Sequence, residues 1–179
     1  MSEELRRARR IAFAAAFAAL LAIASYVSFG LPLTDVPFTL QTLVVMLAGA
    51  VLGPGLGALS VVVYLLLGAM GVPVFASGSS GLGVLFGPLG GYLISWPIAA
   101  AIAGVLAQRG YFLRVVGMVL ALAVIYAFGI AGLHLSQGTG WTAAFWAGAA
   151  PFFPLDLIKL LIAAAIAPPL RRLVVRQAH

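Results

Sequence analysis

Asp156 and Lys159 are the residues best placed to do chemistry, because each is ionisable and both stand in an apolar run with Leu155, Leu157, Ile158 and Leu160. At helix-centre depth in a bilayer an ionised group costs ~2.5–3.5 kcal/mol, so such residues are functional by default. Spaced three apart on a helix, the two share a face and can pair. A plainer reading also exists. Pro154 suits the first position of a helix, which makes Asp156 an early-turn carboxylate favoured by the helix dipole and Lys159 simply its partner. A second polar group, Thr39, Gln41 and Thr42, follows Pro37. Thr39 could equally be a helix cap. A third is Ala76-Ser-Gly-Ser-Ser-Gly81, where Ser77 and Ser79 sit among glycines that let backbone amides approach a ligand.

Within that loop, Gly78-Ser-Ser-Gly81 matches the G-x-S-G pattern of rhomboid intramembrane proteases, and His134 could serve Ser80 as a base. That alternative, an intramembrane serine hydrolase, is weak. Ser80 falls in a loop between spans, and His134 ends a span instead of facing the serine. No catalytic residue is therefore expected. The chain has no cysteine, which excludes thiol catalysis and cysteine-held metals, and no metal or cofactor is expected. No G-x-x-x-x-G-K-S/T phosphate loop is present, so uphill transport would need a partner ATPase or an ion gradient.

The elements that must position these residues are membrane spans. Hydrophobic residues make up 64% and charged residues 8% of the 179-residue chain, too little charge to cover a soluble domain. Between Arg10 and Arg109 the only charge is Asp35, and between Arg114 and Arg171 only Asp156 and Lys159. Despite a net charge of +6, nucleic acid is not the expected partner. The arginines fall in three clusters beside apolar runs, at residues 6–10, 109–114 and 171–176, the pattern of cytoplasmic helix ends. Residues 1–179 are expected to form a single transmembrane domain with spans at about 11–29, 38–52, 56–71, 88–107, 115–135 and 142–168.

Six spans put every arginine cluster inside, with both termini cytoplasmic and the cell membrane as location. The first span, with Ala22-Ile23-Ala24 as a possible cleavage motif, is read as retained. Pro32 and Pro37 break the first loop, and Pro151 and Pro154 interrupt span six. Counting ~1.5 Å per residue up from Arg171 places Asp156 ~22 Å and Lys159 ~18 Å above the inner boundary, in the outer half of a ~30 Å core. The three polar groups thus converge on the outer side, and no polar trail continues inward, which suits a binding pocket and not a channel. Along span one, Ala14, Ala18 and Ala22 are spaced by four, as are Ala15 and Ala19. Such small-residue stripes let another helix approach closely.

Beyond these features the chain resembles the BioY family, the biotin-binding subunits of energy-coupling factor (ECF) transporters. The resemblance is carried by Val36-Pro-Phe-Thr-Leu-Gln-Thr-Leu43, Leu47-Ala-Gly49, Leu52-Gly-Pro54, Ser60 with Tyr64, and Gly68. It continues through Gly71-Val-Pro-Val-Phe-Ala76, Gly87-Pro88, Gly90-Gly-Tyr92 and Pro151-Phe-Phe-Pro-Leu-Asp-Leu-Ile-Lys159. Two departures stand out. Leu89 occupies a position where such proteins commonly have threonine, and the glycine loop carries Ser77, Ser79 and Ser80.

The resemblance implies an all-α ECF S-component-like bundle of six transmembrane helices, with a loop after helix one folding over an outer pocket. It implies high-affinity capture of biotin from the outer side and uptake with a transmembrane coupling subunit and two ATPases. Another small vitamin is the alternative ligand. Asp156 and Lys159 are the implied anchors, with Thr39, Gln41, Ser77, Ser79 and Tyr92 as further ligand contacts. An ionised Asp156 could accept from ureido N–H groups, and Lys159 could donate to the ureido carbonyl or to the carboxylate. Ala14, Ala18 and Ala22 are the implied docking stripe for the coupling subunit.

Overall fold

In the computed structural model, residues 3–31 and 34–176 are described. They form helix α1 (Glu3–Tyr26), strands β1 (Ser28–Leu31) and β2 (Thr34–Thr39), and helices α2 (Gln41–Leu52) and α3 (Pro54–Ala69). A 3₁₀ turn (Ala76–Gly78) precedes α4 (Leu82–Leu85), α5 (Gly90–Leu106), α6 (Tyr111–Gln137), α7 (Trp141–Gly148) and α8 (Phe153–Arg176). Helices α1, α6 and α8 are long and apolar enough to cross a membrane.

The other three bundle helices are shorter, and for α2 its position explains why. Helix α2 has 12 residues, ~18 Å of rise, well short of a ~30 Å hydrocarbon core. Nine of its positions are buried, from Gln41 and Val44 through Val51, because α1, α3, α5 and α8 surround it. A central helix covered by protein has no lipid thickness to match. Backbones approach closely around it. A Cβ on Gly49 would collide with the Ala100 carbonyl of α5, and one on Gly104 would strike Pro54 and Gly49. Between α2 and α3 the chain reverses at Gly53, whose φ of +88° suits glycine, and Pro54 then opens α3.

The segment read from sequence as a loop after span one is a two-stranded antiparallel ribbon. Ser28 pairs with Thr39 and Phe29 with Phe38, and the two rings lie 4.6 Å apart. An isolated ribbon is marginal in water. Here Val36 and Phe38 are buried against the bundle, and the Tyr26 hydroxyl at the ribbon's entrance donates to the Pro73 carbonyl at 3.1 Å. Pro32, expected to break this segment, lies outside the described residues.

The stretch expected as span six is two helices. Pro151 disfavours helical geometry at Ala150, so α7 stops at Gly148, and the chain turns before α8, in which Pro154 is the second residue. Helix α7 has 8 residues and lies against α6 and β2. At the other end α8 runs on through Pro168 and Pro169. Pro168 has no N–H for the Ala164 carbonyl. That carbonyl instead accepts from Arg114 Nη1 at 3.1 Å, while Arg114 Nε donates to the Ala107 carbonyl at 3.0 Å. Arg114 therefore ties α5, α6 and α8 together at the end opposite the ribbon.

The small-residue stripe on α1 needs a correction. Ala14 and Ala18 are buried and Ala22 half-buried, because this face packs inside the bundle, where Ala18 and Leu21 join the core. Ala14 and Ala18 are thus covered by the subunit's own helices. Ala15 and Ala19, on the adjacent face, are exposed.

Candidate functional site

At the ribbon end of the bundle lies a cavity whose space, open mouth included, is about 610 Å³. Strand β2 roofs it with Val36, Pro37, Phe38 and Thr39, and α2 enters it with Gln41 and Thr42. Tyr92, Leu93 and Trp96 of α5, Ile125 and Tyr126 of α6, and Phe152 make an apolar and aromatic wall. Asp156 and Lys159 of α8 complete it.

The charged pair is buried, each residue 4% exposed, with Lys159 Nζ 2.6 Å from Asp156 Oδ1. Burying such a pair requires its remaining hydrogen-bonding capacity to be met, and the neighbouring elements meet most of it. An ammonium has three protons. Those of Lys159 go to Asp156 Oδ1, to Thr42 Oγ1 at 3.1 Å and to the Thr39 carbonyl at 2.5 Å. The ammonium also sits 3.6 Å from the centre of the Phe38 ring, a cation–π contact. Lys159 thus fastens the ribbon to α8.

Asp156 accepts from the Thr42 hydroxyl at 3.2 Å on Oδ1 and from the Tyr126 hydroxyl at 2.7 Å on Oδ2. With Lys159 this fills three of a carboxylate's roughly four acceptor positions, leaving one on Oδ2 for a donor arriving in the cavity. The arrangement therefore presents an anionic acceptor in an aromatic pocket, with the compensating cation already engaged.

Gln41 is held from behind. The Tyr64 hydroxyl donates to the Val74 carbonyl at 3.0 Å, so it accepts from Gln41 Nε2 at 2.5 Å. This fixes the amide orientation and leaves Oε1 as the free acceptor. Thr39 is used twice, its carbonyl by Lys159 and its Oγ1 as acceptor for the Gln41 backbone N–H at 3.3 Å. The Tyr92 hydroxyl donates to the Gly148 carbonyl at 2.8 Å, joining the wall to the end of α7.

Five of the residues singled out from sequence, Asp156, Lys159, Gln41, Thr39 and Tyr92, thus meet around one cavity. Ser77 and Ser79 do not join them. Ser77 is exposed, and Ser79 Oγ donates to the Ala76 carbonyl within the turn at 2.8 Å. The loop offers the cavity Phe75 and Ala76 instead. His134 is also committed elsewhere. Its Nδ1 lies 2.5 Å from the Thr139 carbonyl and its ring stacks on Trp141 at 4.1 Å, so it is not poised to activate Ser80. Among the described residues no group of three or more His, Cys, Asp or Glu could hold a metal.

Sequence reading missed Tyr126, Trp96 and Phe38. Tyr126 had one weak signal, a hydroxyl in the apolar run of α6. Trp96 had none, because aromatic residues are common throughout such spans, and Phe38 had only its place in the Val36–Leu43 block.

The BioY family model matches residues 1–176. A protein of Pyrococcus horikoshii named probable biotin transporter BioY is 41% identical over 165 residues, covering 92% of this chain and 98% of that protein. The biotin transporter BioY of Thermotoga maritima is 40% identical over 171 residues, covering 94% and 99%. These relatives are named as transporters, not enzymes. A solved structure described as the S-component for biotin from an ECF-type ABC transporter shares the fold, with a TM-score of 0.88, 24% identity and coverage of 96% and 95%.

Proposed function

The chain belongs to the BioY family, and from that premise we propose that it captures biotin as the substrate-binding subunit of an ECF-type importer. The observation that carries this reading is the aromatic cavity beneath the ribbon, with a buried carboxylate holding one acceptor position open. Biotin offers ureido N–H donors, an apolar bicyclic body and a carboxylate tail. An N–H on Asp156 Oδ2 would be a charge-assisted bond, worth ~1.5–3 kcal/mol. Lys159 pairs with Asp156 and holds the roof, and its contact to ligand requires giving up one of its present partners.

Orientation follows the arginine clusters, with both termini cytoplasmic, the ribbon outside and the cell membrane as location. Energy comes from a transmembrane coupling subunit and two ATPases. The exposed face of α1 through Ala15 and Ala19 is where a partner helix could approach closely. In biotin-auxotrophic cells, labelled biotin uptake should appear only when this chain and the coupling module are produced together. Uptake of another vitamin in preference to biotin would replace the ligand. Failure of both with a well-produced complex would sink the reading.

A further inference from the structure

Of the buried polar atoms without a hydrogen-bond partner among the described residues, Trp96 Nε1 is the one whose residue lines the cavity. Trp96 is 4% exposed, and its ring stacks at 6.0 Å on Tyr64, the residue that orients Gln41. An indole N–H is a donor only, and leaving it buried and unpaired is costly. Three other donors around the cavity are occupied. Lys159 spends its protons on Thr39, Thr42 and Asp156, Tyr126 donates to Asp156, and Tyr92 donates to Gly148. Of the aromatic donors that line the cavity, the Trp96 N–H is thus the one without a protein partner among the described residues.

Resting on the biotin reading, we propose that Trp96 Nε1–H is the donor to the ligand's ureido oxygen and so a specificity-determining residue of the site. The choice of acceptor follows from charge. Burying a carboxylate against a neutral indole would leave it without compensation, whereas a cyclic urea oxygen is a strong neutral acceptor. Its N–H neighbours would then meet Asp156, so one edge of the ligand is read by an acceptor on α8 and a donor on α5. A protonated guanidine in place of the urea inverts the α5 half of that reading.

The test compares biotin with 2-iminobiotin, whose protonated guanidine has no lone pair where the urea has its oxygen. Trp96→Phe keeps an aromatic ring and removes the N–H. It should weaken biotin binding ~5–10-fold while changing 2-iminobiotin binding by no more than about twofold. Biotin methyl ester should be weakened as much as biotin is, because its urea is intact. Unchanged biotin affinity, or equal weakening of biotin and 2-iminobiotin, overturns the donor role and leaves the biotin reading standing. Absence of biotin binding by the unaltered protein overturns both. A second measurement needs no folded variant. With indole-¹⁵N labelling the three tryptophans report separately, and the Trp96 resonance should move downfield on adding biotin. A resonance that stays in place contradicts the inference.

Discussion

A carboxylate in a bilayer-embedded protein survives by having its partners supplied from several elements at once, and Asp156 draws on α2, α6 and its own helix. Asp156→Asn removes the charge and puts an amide where an acceptor is needed. Biotin affinity should fall more than tenfold by equilibrium binding. Tyr126→Phe keeps the ring and frees Oδ2 from its protein donor. The carboxylate then loses orientation, so binding should weaken several-fold while thermal unfolding in detergent shows a loss of about 1 kcal/mol. Lys159→Ala is the harsher change, because it strands Asp156 and unfastens the Thr39 carbonyl and Phe38 ring from α8. Breaking a buried pair from one side costs ~3–5 kcal/mol, so this variant should unfold at a clearly lower temperature than Tyr126→Phe. Similar unfolding temperatures for the two would place little weight on the pair.

At the scale of elements, sequence legibility tracked how much each residue contrasts with its neighbours. Asp156 and Lys159 were visible because charge in an apolar run has few explanations. Thr39 and Gln41 were visible because they follow a proline at the start of a span. The ribbon was not visible, since its strands have 4 and 6 residues and Pro37 interrupts the alternation. The alanines of α1 were ambiguous for a geometric reason. Two stripes, through Ala14 and Ala18 and through Ala15 and Ala19, lie about 100° apart on one helix, and spacing cannot say which faces inward. The Arg114 staple was hidden because an arginine beside an apolar run is already explained by topology. Its role predicts a double-mutant cycle. Arg114→Ala should cost about 2 kcal/mol, and less in a Pro168→Ala background, where residue 168 regains an N–H for the Ala164 carbonyl. Additive losses would mean the two features are independent.

For the molecule as a whole, the fold makes a multi-pass membrane protein with a lidded site at one end and arginine-rich helix ends at the other. If the exposed face of α1 docks the coupling subunit, substitutions there separate capture from coupling. Ala19→Trp, on the exposed face, should retain biotin binding in the purified subunit and lose co-purification with the coupling subunit and ATPases. Ala18→Trp, on the buried face, should destabilise the subunit itself, because its core has no room for the indole. Full co-purification by Ala19→Trp would move the docking surface elsewhere. Sidedness is readable because the chain has no cysteine. A cysteine introduced at Gly138 should react with an impermeant thiol reagent in intact cells, and one at Gly110 should not. The central claim, that the cavity beneath the ribbon captures biotin, is tested most directly by an equilibrium binding isotherm of biotin on the purified protein. The account predicts saturable binding of one biotin per chain at micromolar concentration or below, sharply weakened in Asp156→Asn. No saturation, or an isotherm identical in a folded Asp156→Asn protein, would contradict it.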